Sequence, residues 1–232
     1  MTLPAIDFPW STPFIADGCV ALGLPIRLGR TGLRPLFADS RIYGRVCPAQ
    51  HAGSVDVFLE AIADAQPGDV LVIDNNGRLD EGCIGDLVAG EALCAGLAGL
   101  VVDGAHRDTM AIRALGVAVW SMGVCPAGPQ RLHARQPHAL EAATIGPSTV
   151  TKEDVVFADD DGVVFVAAAE LPRVLAAAQD IAAREQSHAE RLGAGERLST
   201  QFHLAEYLET RRENAAFTFR DHLKRLGGAI EI

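Results

Sequence analysis

The sequence predicts an α/β fold, in which helices flank a parallel or mixed central sheet. Short apolar strands alternate with segments of helical periodicity through most of the 232 residues. The clearest unit spans residues 54–74, where Pro67 and Gly68 separate a helical pattern from the apolar strand "DVLVID" (69–74). The apolar positions of the helix are Val57, Phe58, Ala61 and Ile62. Helices that alternate with apolar strands are typical of this fold class.

Two further helix-strand units follow the first. A helix over about residues 86–98 precedes the strand "GLVVDG" (99–104), and "TMAIRALG" (109–116) precedes "VAVWS" (117–121). Farther on, "DVVFADDDGVVFVA" (154–167) has two β-branched runs around an acidic turn, which predicts a β-hairpin.

The C-terminal part of the chain is predicted to be helical. From Glu170 an apolar stripe appears at helical spacing, and two short helices are expected before Gly227 and Gly228. The stripe consists of Leu171, Val174, Leu175 and Ala178. We predict a core domain over 1–195 and a helical extension over 196–232. We expect that extension to pack on a neighbouring subunit or over a site.

Composition excludes several classes of function. A net charge of −10 argues against a general binder of nucleic acid, which would need clustered cations. The N-terminus lacks the pattern of a secretory signal, and Glu91 interrupts the longest apolar stretch, so we expect no membrane span and a cytoplasmic location. The five cysteines form no C-x-x-C pair and are expected to be reduced thiols packed as small apolar residues.

The candidate site lies where two of the predicted strands end. Arg107 and Asp108 follow the strand that ends at Asp103 and Gly104, while Gly85 and Asp86 stand at a loop-to-helix junction. Open α/β folds bind ligands at the carboxyl ends of their strands. With Asp86 as N-cap, the free backbone amides of Leu87 and Val88 could receive a carboxylate.

These residue types suit a 2-oxo acid. Arg107 can bind a substrate carboxylate with a bidentate fork. Asp108 can hold a hard divalent cation that keeps several waters, and such a cation stabilises an enolate next to a carbonyl. The simpler alternatives are that the Arg-Asp pair is solvated surface charge and that Asp86 is only an N-cap. For His106 the simpler alternative is a structural role. We interpret Asp159 to Asp161 as a turn rather than a calcium loop.

The spacing D-x20-R-D from Asp86 to Asp108, preceded by Gly85, resembles a known signature. It is similar to that of the family comprising the regulator of ribonuclease activity A and the class II pyruvate aldolases, notably 4-hydroxy-4-methyl-2-oxoglutarate/4-carboxy-4-hydroxy-2-oxoadipate aldolase. The stretches "GDVLVID" (68–74), "GVCPAGPQR" (123–131) and "ADDDGVVFV" (158–166) also occur in that family's order, over roughly residues 14–195.

The resemblance implies a fold and a set of roles. It implies a swivelling β/β/α domain that assembles as a homotrimer or a dimer of trimers, with active sites between subunits. Asp108 would bind Mg²⁺ or Mn²⁺, Arg107 the pyruvyl carboxylate and a water, and Asp86 a water at the metal. Gly85, Leu87 and Val88 would bind the substrate carboxylate. An acidic residue of the neighbouring C-terminus would complete the site, the candidates being Glu190, Glu206, Glu209 and Glu231.

Two hypotheses for function follow. The first is a divalent-metal lyase that cleaves a 4-hydroxy-2-oxo acid to pyruvate by retro-aldol reaction and also decarboxylates oxaloacetate. A water at the metal or at Arg107 would take the hydroxyl proton, since the motif has no obvious His or Lys base. The second is a non-catalytic regulator of the ribonuclease-inhibitor type that binds a protein partner. Two features depart from the aldolases where the distal part of the substrate would lie, namely His106 and the tail "TFRDHLKRLGGAIEI" (218–232).

Overall fold

The computed structural model describes residues 3–51, 54–131 and 133–227. Its strands are β1 (Arg27–Leu28), β2 (Arg34–Pro35), β3 (Ile42–Gln50), β4 (Val70–Ile84), β5 (Gly99–His106), β6 (Val119–Ser121), β7 (Gly123–Val124), β8 (Ala142–Ile145), β9 (Ser148–Thr151), β10 (Asp154–Ala158) and β11 (Val163–Ala167). Its helices are α1 (Thr12–Ala21), α2 (Asp56–Asp64), α3 (Asp86–Cys94), α4 (Thr109–Leu115), α5 (Leu171–Gly193), α6 (Leu198–Gln201), α7 (Leu204–Glu213) and α8 (Phe219–Arg225).

The predicted mixed sheet is confirmed. The strand order is β1-β11-β10-β3-β4-β5-β6-β2, with β7 beside the end of β5. Strands β3 to β6 run parallel because a helix precedes each of β4, β5 and β6, whereas β10 and β11 form the predicted antiparallel hairpin. The three helix-strand units read from the sequence are therefore α2-β4, α3-β5 and α4-β6.

Alternate residues of the central strands pack into two separate apolar cores. On β4, Leu71 and Ile73 face the core that contains α2, α3 and α4, and the apolar positions of α2 foreseen in the sequence are buried there. Val70 and Val72 face the opposite core, which the β8-β9 hairpin covers. The period-two alternation of a strand thus produces three layers, a hairpin, a sheet and helices.

Strand β4 is much longer than the predicted 69–74. Its pairing with β5 is regular up to Asp74 opposite Asp103 and then shifts register three times before Ile84 pairs with His106. Extra residues of this kind bend a strand and change the direction of its side chains. The irregular half of β4 brings residues 81–85 alongside the end of β5, where the candidate site lies.

The chain divides into two compact units, the first of which includes Ile26–Pro172 and the second Phe14–Pro25 and Arg173–Ile232. The boundary after residue 195 stays a prediction, and α5 is one continuous helix up to Gly193. In the second unit, a Cβ at Gly18 of α1 would lie 2.9 Å from the Val174 carbonyl oxygen of α5, so the two helices pack closely.

Between residues 196 and 227, where the structure describes the tail, it contains three helices rather than the two predicted, since α6 is a single extra turn. Tyr207, Phe217, Phe219 and His222 form an aromatic cluster between α7 and α8. A capping box between Thr218 and Asp221 begins α8. No helix in the described ranges combines the length and the apolar character that a membrane crossing needs.

Candidate active site

Arg107 and Asp108 occupy the connection between β5 and α4. Asp108 is the N-cap of α4 and adopts the left-handed conformation (φ 56°, ψ 36°), which Asp tolerates better than most residues. The Arg107 Nε lies 3.3 Å from the Asp108 Oδ2, and both side chains are about four-tenths exposed (43% and 42%). The pair therefore stands at the surface, accessible to a ligand.

The first turn of α3 lies next to this pair, as the sequence predicted. The Arg107 amide donates to the Ile84 carbonyl oxygen at 2.9 Å, which ties the end of β5 to the residue before Gly85. A Cβ on Gly85 would lie only 2.3 Å from the Asp108 Oδ2 and 3.3 Å from the Arg107 Nε. Only a residue without a side chain lets these groups approach so closely.

The prediction that Asp86 is the N-cap of α3 was wrong. Gly85 holds that position with extended backbone, and Asp86 is the first helical residue. The reason is that the preceding strand continues to Ile84, so the change of direction falls on the glycine. The amides of Leu87 and Val88 remain in the first turn, where a helix does not use its own N–H groups. The Leu87 side chain is 84% exposed, whereas Val88 is buried in the core.

Three glycines form a slot around the Arg107 side chain. Besides Gly85, a Cβ on Gly82 would lie 2.8 Å from the Arg107 Cβ, and a Cβ on Gly128 would lie 2.6 Å from the Arg107 Nη1. Gly82 belongs to the irregular half of β4, and Gly128 to the connection that follows β7. Gly82 and Gly128 were not among the predicted site residues, because both stand outside the D-x20-R-D spacing.

A buried carboxylate, Glu81, lies directly before Gly82. It is 0% exposed and accepts hydrogen bonds from the Arg131 Nη2 (2.6 Å), the Arg78 Nε (3.1 Å) and the Gln130 amide (3.1 Å). Burial by itself would raise the pKa of Glu81. The hydrogen bonds from Arg131 and Gln130 and the charges of both arginines outweigh burial, so the pKa is held below its usual value.

The expectation that His106 lies near the distal part of a substrate stays a prediction. His106 is a buried residue of β5, which agrees with its structural interpretation. It is 3% exposed, because its imidazole lies between the Ser121 Oγ (2.7 Å from Nδ1) and the Thr109 Oγ1 (3.0 Å from Nε2). Burial lowers its pKa below the ordinary value. The ring joins β5, β6 and α4 immediately behind the Arg107-Asp108 pair.

A second buried carboxylate, Asp103, lies in β5, the strand that also contains His106, and forms an ion pair with Arg30. Arg30 clasps it with its Nε (2.5 Å) and Nη2 (2.9 Å), while Asp103 itself is 0% exposed. The Arg30 guanidinium also lies against Gly77, where a Cβ would come within 2.9 Å of its Cζ. This ion pair fixes the strand that leads into the candidate site.

The donor set at Asp108 fits a hard divalent cation. Across residues 3–51, 54–131 and 133–227, no three His, Cys, Asp or Glu side chains come together as a metal cluster. Mg²⁺ commonly keeps several waters and needs only one or two protein carboxylates, so a Mg²⁺ site does not require such a cluster. Zinc needs more protein ligands than one carboxylate, so the arrangement does not suit zinc. The exposed Asp108 carboxylate beside the open first turn of α3 has that character.

The remaining predicted positions are the acidic turn, the cysteines and the C-terminal glutamates. Asp159 accepts from the amide and hydroxyl of Thr12 and from the Asp161 amide, as expected for a structural turn. All five cysteines are free, as predicted; Cys94 is exposed and Cys125 only partly buried, so these two are not packed as core residues. Of the acidic candidates, Glu190 lies on α5, Glu206 and Glu209 lie on α7, and Glu231 lies outside the described residues.

The RraA-like family model, described as Aldolase/RraA, matches residues 12–165. The chain belongs to this family. A relative from Halalkalibacterium halodurans, which carries the provisional name 4-hydroxy-4-methyl-2-oxoglutarate aldolase, is 30% identical over 81% of this chain and 91% of its own length.

Solved structures of the RraA-like fold agree with this assignment. A Streptomyces coelicolor protein, RraAS2, described as an unusual member of the RNase ES inhibitor RraA family, is 28% identical over 78% of this chain and 91% of its own, with a TM-score of 0.66. An uncharacterized Pseudomonas syringae protein has a TM-score of 0.71 at 24% identity, covering 82% of this chain and 92% of its own. The family thus includes proteins described as aldolases and proteins described as inhibitors.

Proposed function

We propose that this RraA-like protein is a divalent-metal-dependent carbon–carbon lyase that cleaves a 4-hydroxy-2-oxo acid to pyruvate and a second carbonyl compound. The observation that carries the proposal is the meeting of three groups, the Arg107 guanidinium, the Asp108 carboxylate and the first turn of α3, with Gly85 between them. A regulator that binds a protein partner has no need of such a combination.

In this proposal Arg107 and the first turn of α3 bind the substrate carboxylate. The guanidinium fork matches a carboxylate in a bidentate way, and the amides of Leu87 and Val88 add N–H donors at the positive end of the helix dipole. Asp108 would hold Mg²⁺ or Mn²⁺, which when bound stabilises negative charge on the 2-oxo oxygen. Asp86, at the start of the same helix, would orient water beside the cation.

The retro-aldol cleavage moves one proton and one electron pair. The 4-hydroxyl proton goes to a water held by Arg107, the C3–C4 bond breaks as the second carbonyl forms, and the electron pair enters the C2–C3 bond of the pyruvate enolate. Protonation of C3 then gives pyruvate. Oxaloacetate decarboxylation reaches the same enolate by loss of CO₂, so we propose it as a side activity of the same site.

We also propose that the site works in a homotrimer or a dimer of trimers. Leu87 and Met110, in the first turns of α3 and α4, are 84% and 85% exposed and flank the Arg107-Asp108 pair. Exposed apolar side chains that form one contiguous patch mark protein interfaces, and we propose that Leu87 and Met110 contribute to the contact between subunits. Analytical ultracentrifugation of the purified chain measures its assembly directly, and a monomer at all concentrations would contradict this part of the proposal.

The test of the lyase is pyruvate release coupled to lactate dehydrogenase, from 4-hydroxy-4-methyl-2-oxoglutarate and from oxaloacetate, with Mg²⁺ or with EDTA. We expect metal-dependent release that Asp108→Ala abolishes. Asp64→Ala is the matched control, since Asp64 is 66% exposed at the far end of α2 and its removal should leave release unchanged. Absence of release from both substrates, together with a protein partner bound equally well in EDTA, would favour the regulator.

A further inference from the structure

The segment 125–131, called here the cover segment, lies against the Arg107 side chain without belonging to a helix or strand. Its position is set by ties to the two neighbouring strands. The Cys125 amide donates to the His106 carbonyl oxygen of β5 at 2.9 Å, and the Gly82 amide of β4 donates to the Ala127 carbonyl oxygen at 2.7 Å. These two bonds fix the first half of the segment.

Glu81 fixes the second half. Its two carboxylate oxygens accept from the Gln130 amide and from the Arg131 side chain, so one buried group makes both contacts. Charge-assisted hydrogen bonds of this kind are roughly twice as strong as neutral ones, and a low-dielectric environment strengthens them further. Loss of the Glu81 charge would also leave the Arg131 guanidinium without its anion.

The cover segment has a direct contact with the proposed substrate-binding group. Gly128, which lies between the two sets of ties, approaches Arg107 so closely that a Cβ there would be 2.6 Å from Nη1. Gly82 lies against both the Arg107 side chain and the cover segment, because a Cβ on it would be 2.8 Å from both the Arg107 Cβ and the Cys125 carbonyl oxygen. The direction of the guanidinium therefore depends on where the cover segment lies.

We propose that Glu81 is a positioning residue, which holds the cover segment against Arg107 and so sets the direction of the guanidinium toward the substrate carboxylate. The inference rests on the proposed function for the role of Arg107, but the attachment of the segment by Glu81 is independent of it. Arg131 is then the partner through which Glu81 acts, and neither residue touches the substrate.

The test uses Glu81→Gln, which keeps the shape of the side chain and removes its charge. Cys125 provides a readout of the segment that needs no catalysis, because it is only partly buried. Once Glu81 no longer holds residues 130 and 131, only the two neutral backbone bonds at Cys125 and Ala127 keep the segment in place, so opening of the segment exposes Cys125 more often. The rate at which iodoacetamide alkylates Cys125 is measured by peptide mass spectrometry in a Cys94→Ser background, since Cys94 is exposed. We expect alkylation to become at least about tenfold faster, the size that loss of one charged hydrogen bond predicts.

The kinetic readout separates positioning from general weakening of the fold. Arg107 contacts the substrate carboxylate in the ground state and in the transition state alike, so we expect Glu81→Gln to raise KM about tenfold or more. A fall in kcat accompanies it to the extent that the water held by Arg107 is displaced as well. Asp154→Asn is the matched control. Asp154 is also a buried carboxylate clasped by an arginine, Arg27 (2.5 and 3.1 Å), and its loss should weaken the fold without changing KM or Cys125 alkylation.

A second variant keeps the test decisive if Glu81→Gln does not fold. Gly128→Ala leaves the Glu81-Arg131 pair intact and displaces the guanidinium directly, so it should raise KM as well. Unchanged Cys125 alkylation in Glu81→Gln, or unchanged KM in both variants, would overturn the inference. If the wild type releases no pyruvate, the proposed function fails, and Cys125 alkylation alone then decides whether Glu81 holds the segment.

Discussion

Substitution of Gly85 by alanine is the sharpest local perturbation of the site that the structure offers. The backbone there is extended (φ −133°, ψ −165°), so alanine fits the conformation, and the effect comes only from the added Cβ. That Cβ would lie 2.3 Å from the Asp108 Oδ2. The carboxylate has to move by roughly 1 Å to reach an ordinary carbon–oxygen separation of about 3.3 Å.

A displacement of this size is large for catalysis and small for folding. Misplacement of a reacting group by about 1 Å can reduce a rate roughly 100-fold, which corresponds to about 2.7 kcal/mol of transition-state stabilisation. Because Asp108 is exposed on its outer side, its carboxylate can move into solvent, and we expect the free energy of unfolding to change by less than about 1 kcal/mol.

The assay is kcat/KM for pyruvate release at saturating Mg²⁺, with thermal unfolding of the same preparations. Gly90→Ala is the matched control. It lies in the same helix, and the nearest atom to its new Cβ would be the Leu115 Cδ1 at 3.7 Å, an ordinary contact. That variant should keep full activity and gain roughly 0.5–1 kcal/mol of stability from the better helix former. Wild-type kcat/KM in Gly85→Ala would refute the placement of Asp108 at the reacting centre.

Two predictions concern stability. Arg30→Met leaves the fully buried Asp103 carboxylate without its guanidinium, so the free energy of unfolding in urea should fall by about 3 kcal/mol. Arg191→Met, which breaks the exposed Arg191-Glu196 pair, should have little effect. Equal losses in the two variants would contradict the role of burial. The second concerns pH. Burial lowers the pKa of both His51 and His106, so below about pH 6.5 the unfolded chain binds more protons than the folded one, and stability falls with decreasing pH. Thermal unfolding between pH 7.5 and 5 should show this loss before the carboxylates titrate, and a flat profile over that range would exclude it.

Much of the fold could be predicted because its periodicities are local. The helical spacing of Val57, Phe58, Ala61 and Ile62 and the β-branched runs around Asp159 to Asp161 each specify an element by themselves. The full length of β4 could not be predicted, since residues 75–84 contain Gly and Asn and pair with β5 only through successive register shifts. Long-range pairing of this kind has no short-range signal.

The central residues of the site were predictable, whereas the residues that support them were not. Arg107, Asp108 and Gly85 come together as expected because the parallel strands end at one edge of the sheet. The support around them was not foreseen. Glu81 is a buried carboxylate only because Arg131, 50 positions along the chain, folds back to it, and His106 is buried only because Ser121 and Thr109 satisfy its ring. Such partners come together only through tertiary contacts, so no residue spacing in the sequence predicts them.

The most direct test of the lyase chemistry does not depend on the group attached to the pyruvyl unit. A site that stabilises pyruvate enolate should exchange the methyl protons of pyruvate with solvent, and proton NMR in D₂O follows the loss of the methyl signal. We predict exchange in the presence of Mg²⁺ that stops in EDTA and in Asp108→Ala. A methyl signal that persists with wild-type protein and Mg²⁺ would contradict enolate formation at Arg107 and Asp108.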